Sequence, residues 1–223
     1  MGICDAKYSF TWVSIGSYGR DNDAAIFGQS FFFNKAELGT LMMPLPSAVG
    51  GYNLPYTLLG DDIFPLKTWL LKPFGRKRLT EAEEVANYRI SRGRRTIENT
   101  FGIMSARWRI FRRPIRANIE TVDKVVKAVV CLHNYLTQTE NAHYIPSGFV
   151  DSDCNGEFKE GEWRNIVRDD EGGIRDARRI SSNYYTASAK ETREAFSNYF
   201  NSAGGALPWQ CDVVRNCGPL ATR

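Results

Sequence analysis

The sequence predicts a mixed α/β fold, and three observations carry that prediction. A run with period two, KYSFTWVSI from Lys7 to Ile15, opens the chain as a strand with one buried face. A second apolar run, YTLL from Tyr56 to Leu59, stops at Gly60-Asp61-Asp62 as a short buried strand does. Two long stretches, Thr80 to about Phe111 and Ile119 to Thr139, repeat apolar residues at helical spacing. With 223 residues, 43% of them hydrophobic and 13% aromatic, the chain can bury a sizeable core and is not a disordered segment.

After the first strand, the turn Gly16 to Asp23 is rich in residues that tolerate a tight backbone, and it delivers Asp23 to the apolar segment AAIF. Asp23 is therefore either the cap of a short helix or a ligand-facing acid beyond a strand end, where open α/β sheets bind their ligands. Residues 38–55 hold Pro44, Pro46, Pro55 and several glycines and are expected to form a loop. Asp61 and Asp62 either mark a second strand end or begin a short helix over Ile63 to Leu71, which Lys72-Pro73 would stop.

Thr80 and Glu83 have the spacing of a capping box and should open a long helix, bent at Arg92-Gly93 and ended by Pro114. On it, Ile97, Phe101, Met104, Trp108 and Phe111 form an apolar stripe, a core face. Glu98 sits about 100° from that stripe, in line with Arg94, Arg95, Gly102 and Ser105. A glycine there costs a helix about 1 kcal/mol against alanine, so Gly102 signals a close approach. Either a metal or phosphate comes up to Glu98, or another element packs there while Glu98 pairs with Arg94 or Arg95.

The helix predicted over Ile119 to Thr139 has Val122, Val125, Val126, Val129, Leu132 and Leu136 on one face, with His133 beside it as a hydrogen-bonded structural residue. Residues 140–185 are polar, without periodicity, and read as a long loop. Ser188 to Glu191 resembles another capping box, opening a tail helix that ends before Gly204-Gly205 and docks on the main domain. The domain reading is thus 1–140 as the main domain, 141–185 as a linker, and 186–223 as a docked tail.

Charge is distributed unevenly. Residues 1–65 carry 3 Lys/Arg against 6 Asp/Glu, residues 66–127 carry 16 against 6, and residues 128–223 carry 10 against 13. A central block of net +10, interleaved with aromatic residues, is the footprint of a protein that binds a phosphate backbone. Arg92, Arg94 and Arg95, with the cluster Lys72, Arg76, Lys77 and Arg78, are the candidate DNA contacts. No run reaches the length of a membrane span, and no leader peptide is predicted at the start. Five cysteines without C-x-x-C spacing predict free thiols rather than a disulfide framework or structural zinc.

Asp23, Asp61 and Glu98 are too far apart in sequence for a local metal loop, so they can share a cation only if the fold gathers them. An oxygen-only cluster of that kind suits Mg²⁺ or Mn²⁺ and phosphodiester cleavage. The stretches IGSYGRDNDAAIF, LPYTLLGDDIFPLKTWLLKPF, NYRISRGRRTIENTFGIMSARWRIF and VVCLHNYL, in this order and spacing, resemble the catalytic domain of PIF/Harbinger-type transposases and their domesticated nuclease-like relatives. The resemblance covers roughly residues 5–140, and SGFVDSDCNGEFKEGEWR and REAFSNYFNSAGGALPWQ are similar to the tail of arthropod-type members.

The resemblance implies an RNase H-like mixed sheet flanked by helices and a DDE-type nuclease using a divalent metal, Mg²⁺ or Mn²⁺. In it, Asp23 resembles the second catalytic aspartate, Asp61 a metal-associated aspartate, and Glu98 the catalytic glutamate. It also implies work on DNA in the nucleus and a Myb/SANT-like accessory partner. The family's first catalytic aspartate lies on an earlier strand than any present here, and Asp5 is too close to the first strand to replace it. The sheet is therefore expected to lack its N-terminal strand, and the alternative to a nuclease is a DNA-binding or protein-interaction remnant without catalysis.

Overall fold

The structure, a computed structural model, describes residues 1–17, 23–75, 78–168 and 185–217. The chain divides into two compact units: Met1–Asp21 with Arg95–Ala177, and Asn22–Arg94 with Arg178–Arg223. The long helix α3 (Glu81–Arg107) gives its N-terminal part to the second unit and its C-terminal part to the first.

In the first unit, β1 (Gly2–Cys4) pairs antiparallel with β2 (Phe10–Val13). Asp5 holds the connecting turn, its Oδ1 accepting from the backbone N–H of Lys7 at 2.8 Å and of Ser9 at 2.9 Å. Asp5 thus has the structural role expected of it. The stripe on α3 is core, as its spacing predicts: Met104 is buried with Phe10 and Val129, and Ile97, Phe101, Trp108 and Phe111 pack around them.

Helix α4 (Ile119–Thr139) has the predicted bounds and begins at Asn118, whose Oδ1 accepts from Thr121 N at 2.8 Å. Val125, Val129 and Leu136 of the expected face pack into the core, and the face is shifted at one position. Val129, His133 and Thr137 face inward, while Leu132 is 45% exposed. His133 takes the inward position next to Leu132 because it and Asn134 bond to the first hairpin: Asn134 accepts from Phe10 N and donates to Phe10 O, both at 2.8 Å, like a neighbouring strand.

The segment read as a loop after residue 140 contains α5 (Asn141–Tyr144), a hairpin of β7 (Ser152–Cys154) and β8 (Glu157–Lys159), and α6 (Glu162–Arg168). Long-range side-chain bonds organise it rather than a periodic apolar face, so a periodicity test does not find it. The remainder of that predicted loop, 169–184, lies outside the described residues.

In the second unit, α1 (Asp23–Gly28) and α2 (Phe31–Glu37) are followed by an antiparallel hairpin, β3 (Ser47–Val49) and β4 (Tyr52–Leu54), inside the segment expected to be loop. Gly50 and Gly51 both take positive φ, 56° and 86°, the backbone of a two-residue hairpin turn. The helix expected over Ile63 to Leu71 does not form. Its last two residues are β6 (Leu70–Leu71), parallel to β5 (Leu58–Leu59), with Pro65 in the connection and Leu66 and Leu71 buried against Ala189.

The capping box on α3 forms as predicted, Thr80 N donating to Glu83 Oε2 at 2.8 Å and Glu83 N to Thr80 Oγ1 at 3.3 Å. Helix α7 (Ala187–Phe200) is capped instead by Thr186, which accepts from Ala189 N. It packs on the start of α3, Asn201 Nδ2 donating to Ala82 O at 3.1 Å, and is followed by α8 (Gln210–Cys217). The class is mixed α/β, but the described strands pair two by two in four small sheets, one of them parallel, and no larger RNase H-like sheet assembles from them. These strands are two to four residues long, at or below the short end of the usual range.

Candidate functional site

Asp23 is the first residue of α1, where its charge meets the positive end of that helix. Asp61 follows β5 and accepts from Ile63 N at 3.1 Å, closing the turn that leads to β6. Glu98 projects from the C-terminal part of α3, in the other unit. Among the described residues, no group of three or more His, Cys, Asp and Glu side chains is placed to hold one metal ion. Asp23 and Asp61 belong to the second unit and Glu98 to the first.

The surroundings of Glu98 are built from the segment read as a loop. Asp151 is buried, its carboxylate 0% exposed, and Arg164 grips it with both ends of its guanidinium, Nε to Oδ1 at 2.9 Å and Nη2 to Oδ2 at 2.5 Å. Gly161 N adds a third bond to Oδ1 at 2.8 Å. The Asp151 bonds hold the Arg164 pKa above its ordinary value against the opposing effect of burial, and the nearby charge of Glu98 acts in the same direction. Asn99, one residue beyond Glu98, exchanges bonds with the Asp151 backbone at 3.1 and 3.2 Å and accepts from Trp163 Nε1 at 3.0 Å.

Gly102 is explained by the same network. A Cβ on it would come within 2.6 Å of Cε2 of the Trp163 indole, so the close approach is an aromatic ring from α6 rather than a metal or phosphate. Gly102→Ala adds helix propensity but drives a methyl into a rigid ring, and overpacking costs about 1–3 kcal/mol. The variant is expected to unfold at lower urea concentration, with Trp163→Ala in the same chain relieving the clash. A Gly102→Ala protein more stable than the parent would refute this packing.

The basic candidates divide once placed. Lys72 is 4% exposed and donates to Asp62 O at 3.2 Å. Burial, and then the Arg193 guanidinium, lower its pKa from the ordinary lysine value, while Asp62 and Asp61 oppose them. It is a buried lysine bonded to backbone, with little surface exposed to solvent. Arg92 lies 5.8 Å from the Trp209 ring centroid, and Arg95 lies 4.5 Å from that of Phe158 and 3.9 Å from the Asp153 carboxylate. Arg94 is half-buried, and Arg78 is exposed with φ of 59°. Arg76 and Lys77 lie outside the described residues.

Arginines further along the chain were not singled out by the sequence reading. Arg112 caps the end of α3, donating to the carbonyls of Ser105 and Ala106, and Arg107 Nε donates to Tyr144 O at 2.9 Å. Arg109, Arg113 and Arg116 instead line a hollow of about 730 Å³. The signal for them in the sequence is the density of arginine on both sides of Pro114.

The sequence of residues 1–134 matches the family model described as DDE superfamily endonuclease, 134 of the 223 residues. The chain belongs to the DDE superfamily endonuclease family, a family of transposase-type nucleases. No curated protein and no solved structure matches the chain at a significant level.

Proposed function

We propose that this chain acts on DNA as a nuclease of the PIF/Harbinger type, hydrolysing phosphodiester bonds with Asp23 and Glu98 as its catalytic acids. The family match over residues 1–134 carries the reading. The net +10 of residues 66–127 supports it, because a polyanionic substrate is drawn to such a block. In this reading Asp61 joins Asp23 and Glu98 in binding Mg²⁺ or Mn²⁺, and Arg92, Arg94 and Arg95 face the DNA backbone. Work on chromosomal DNA puts the protein in the nucleus, with a Myb/SANT-like protein as its accessory partner.

A second reading, DNA binding without cleavage, is favoured by a specific observation: Asp61 is engaged in a turn, and Glu98 lies in the field of the Arg164 that holds Asp151. Plasmid nicking by the purified chain in Mg²⁺ or Mn²⁺, beside Glu98→Gln, separates the two. A nuclease is expected to nick only with metal and to lose at least about 100-fold in rate in the variant, the scale of removing a group that acts in the transition state. Absence of nicking, with salt-dependent DNA binding indifferent to chelator and to Glu98→Gln, would establish the second reading.

A further inference from the structure

We infer that the hollow at the α3–α4 junction is a binding site for an unpaired nucleic-acid strand, taking the phosphates on Arg109 and Arg116 and a base face on its apolar floor. The inference rests on the DNA-acting reading above and names the form of nucleic acid this surface prefers. Its geometry starts with the 3-10 turn Arg109–Phe111 that follows α3. Phe111 packs into the core with Met104 and Val129, which turns its neighbour Ile110 outward, 42% exposed. Arg112 folds back onto the last carbonyls of α3. Arg109, Arg113 and Arg116 line a hollow of about 730 Å³ together with Ile110, Pro114, Ile115 and Val125.

Three features define the ligand. The lining contains three arginines and no acid, and Ala117 and Thr121, on either side of the Asn118 cap, bring the positive end of the 21-residue helix α4 to its edge. That combination selects an anion. The floor is aliphatic, so the ligand also has an apolar face to cover it, and a volume within the usual 300–1,000 Å³ of small-molecule sites is of nucleotide size. A duplex keeps its base faces stacked inside and offers only hydrated phosphates, which would leave the floor wet. An unpaired strand offers both phosphate and exposed base face, the two components of single-strand recognition, and arginine itself stacks on bases.

The test is fluorescence anisotropy with a labelled 12-nucleotide single strand and the matching duplex, on the full chain, Arg109→Ala/Arg116→Ala, and Ile110→Ser. All three positions are exposed, and circular dichroism verifies the fold of each variant. The double variant is expected to bind the single strand at least about 10-fold more weakly, with a salt slope reduced by about 1.4, two phosphate contacts at ~0.7 each. Duplex affinity should change less than about twofold, and Ile110→Ser should weaken the single strand several-fold with its salt slope intact.

Equal losses for strand and duplex, or none for the single strand, would overturn the inference while leaving DNA action standing. So would equal competition by polyglutamate, which carries the charge without the bases. A wild-type chain that binds neither nucleic acid at 50 mM salt would remove the inference and the proposed function together.

Discussion

His133→Ala is expected to destabilise the first unit by about 3–5 kcal/mol, because it opens a cavity and orphans two polar groups. The imidazole is 0% exposed. Its Nε2 lies 2.7 Å from the Tyr8 carbonyl, which can only accept, so Nε2 carries the proton and donates. Nδ1 is then an acceptor and takes the Tyr144 hydroxyl proton at 2.9 Å, while Tyr144 Oη accepts from Trp108 Nε1 at 3.1 Å. Burial raises the Tyr144 pKa above its ordinary value, which keeps that hydroxyl a donor. The chain of bonds is complete only with a neutral histidine.

That tautomer has a consequence for pH. Burial lowers the His133 pKa from its ordinary value, outweighing the bond to Tyr8, which raises it. Below pH 6.5 the unfolded chain binds a proton at this histidine that the folded chain does not, so stability is present above 6.5 and is lost as the pH falls below it. The slope approaches about 1.4 kcal/mol per pH unit until the folded pKa is reached. Urea unfolding followed by tryptophan fluorescence between pH 5 and 8 should show this fall in the parent and a shallower one in His133→Gln. Identical pH profiles for the two would mean the histidine is not held neutral.

Arg164→Ala is the second large effect, expected to cost about 3–5 kcal/mol because it leaves a buried carboxylate without its counter-ion. Asp151 has a fully buried carboxylate and receives Arg164 at three distances of 2.5, 2.9 and 3.1 Å. Arg164→Lys keeps the charge but not the planar fork and should fall between parent and Ala. The double variant Asp151→Asn/Arg164→Ala should recover part of the loss, since no buried charge remains, and a double-mutant cycle by urea denaturation measures the coupling. A midpoint for Arg164→Ala indistinguishable from the parent would mean the pair does not anchor α6. The loss should extend to the Trp163 packing on Gly102, because Arg164 and Trp163 are neighbours on the same helix.

Much of the helical framework was legible because its signals lie within a turn or two of chain. Thr80 and Glu83 are three residues apart and cap each other, Asn118 caps α4 at the predicted start, and the stripe from Ile97 to Phe111 is core. The strands were harder. The β3–β4 hairpin was hidden among prolines although Gly50-Gly51 marked its turn, and β6 was read as helix because a short run such as LKTWLL suits either period. Among the candidate site residues, sequence identified which side chains carry charge but not which remain accessible. Lys72 is the plainest case, basic in sequence and buried beside Asp61 and Asp62 in the fold.

Sequence by itself determined the mixed α/β class, the bounds of α4, the basic centre of the chain and its family, because composition, local period and motif order do not depend on distant residues. Only the tertiary structure decided what packs on Gly102 and which groups His133, Asn99 and Arg193 bond. Their partners come from far along the chain: Asn99 and Asp151 are 52 residues apart, His133 and Tyr8 125 apart, and Arg193 and Pro73 120 apart. The burial and electrostatic field that set each side chain's role exist only once those segments meet.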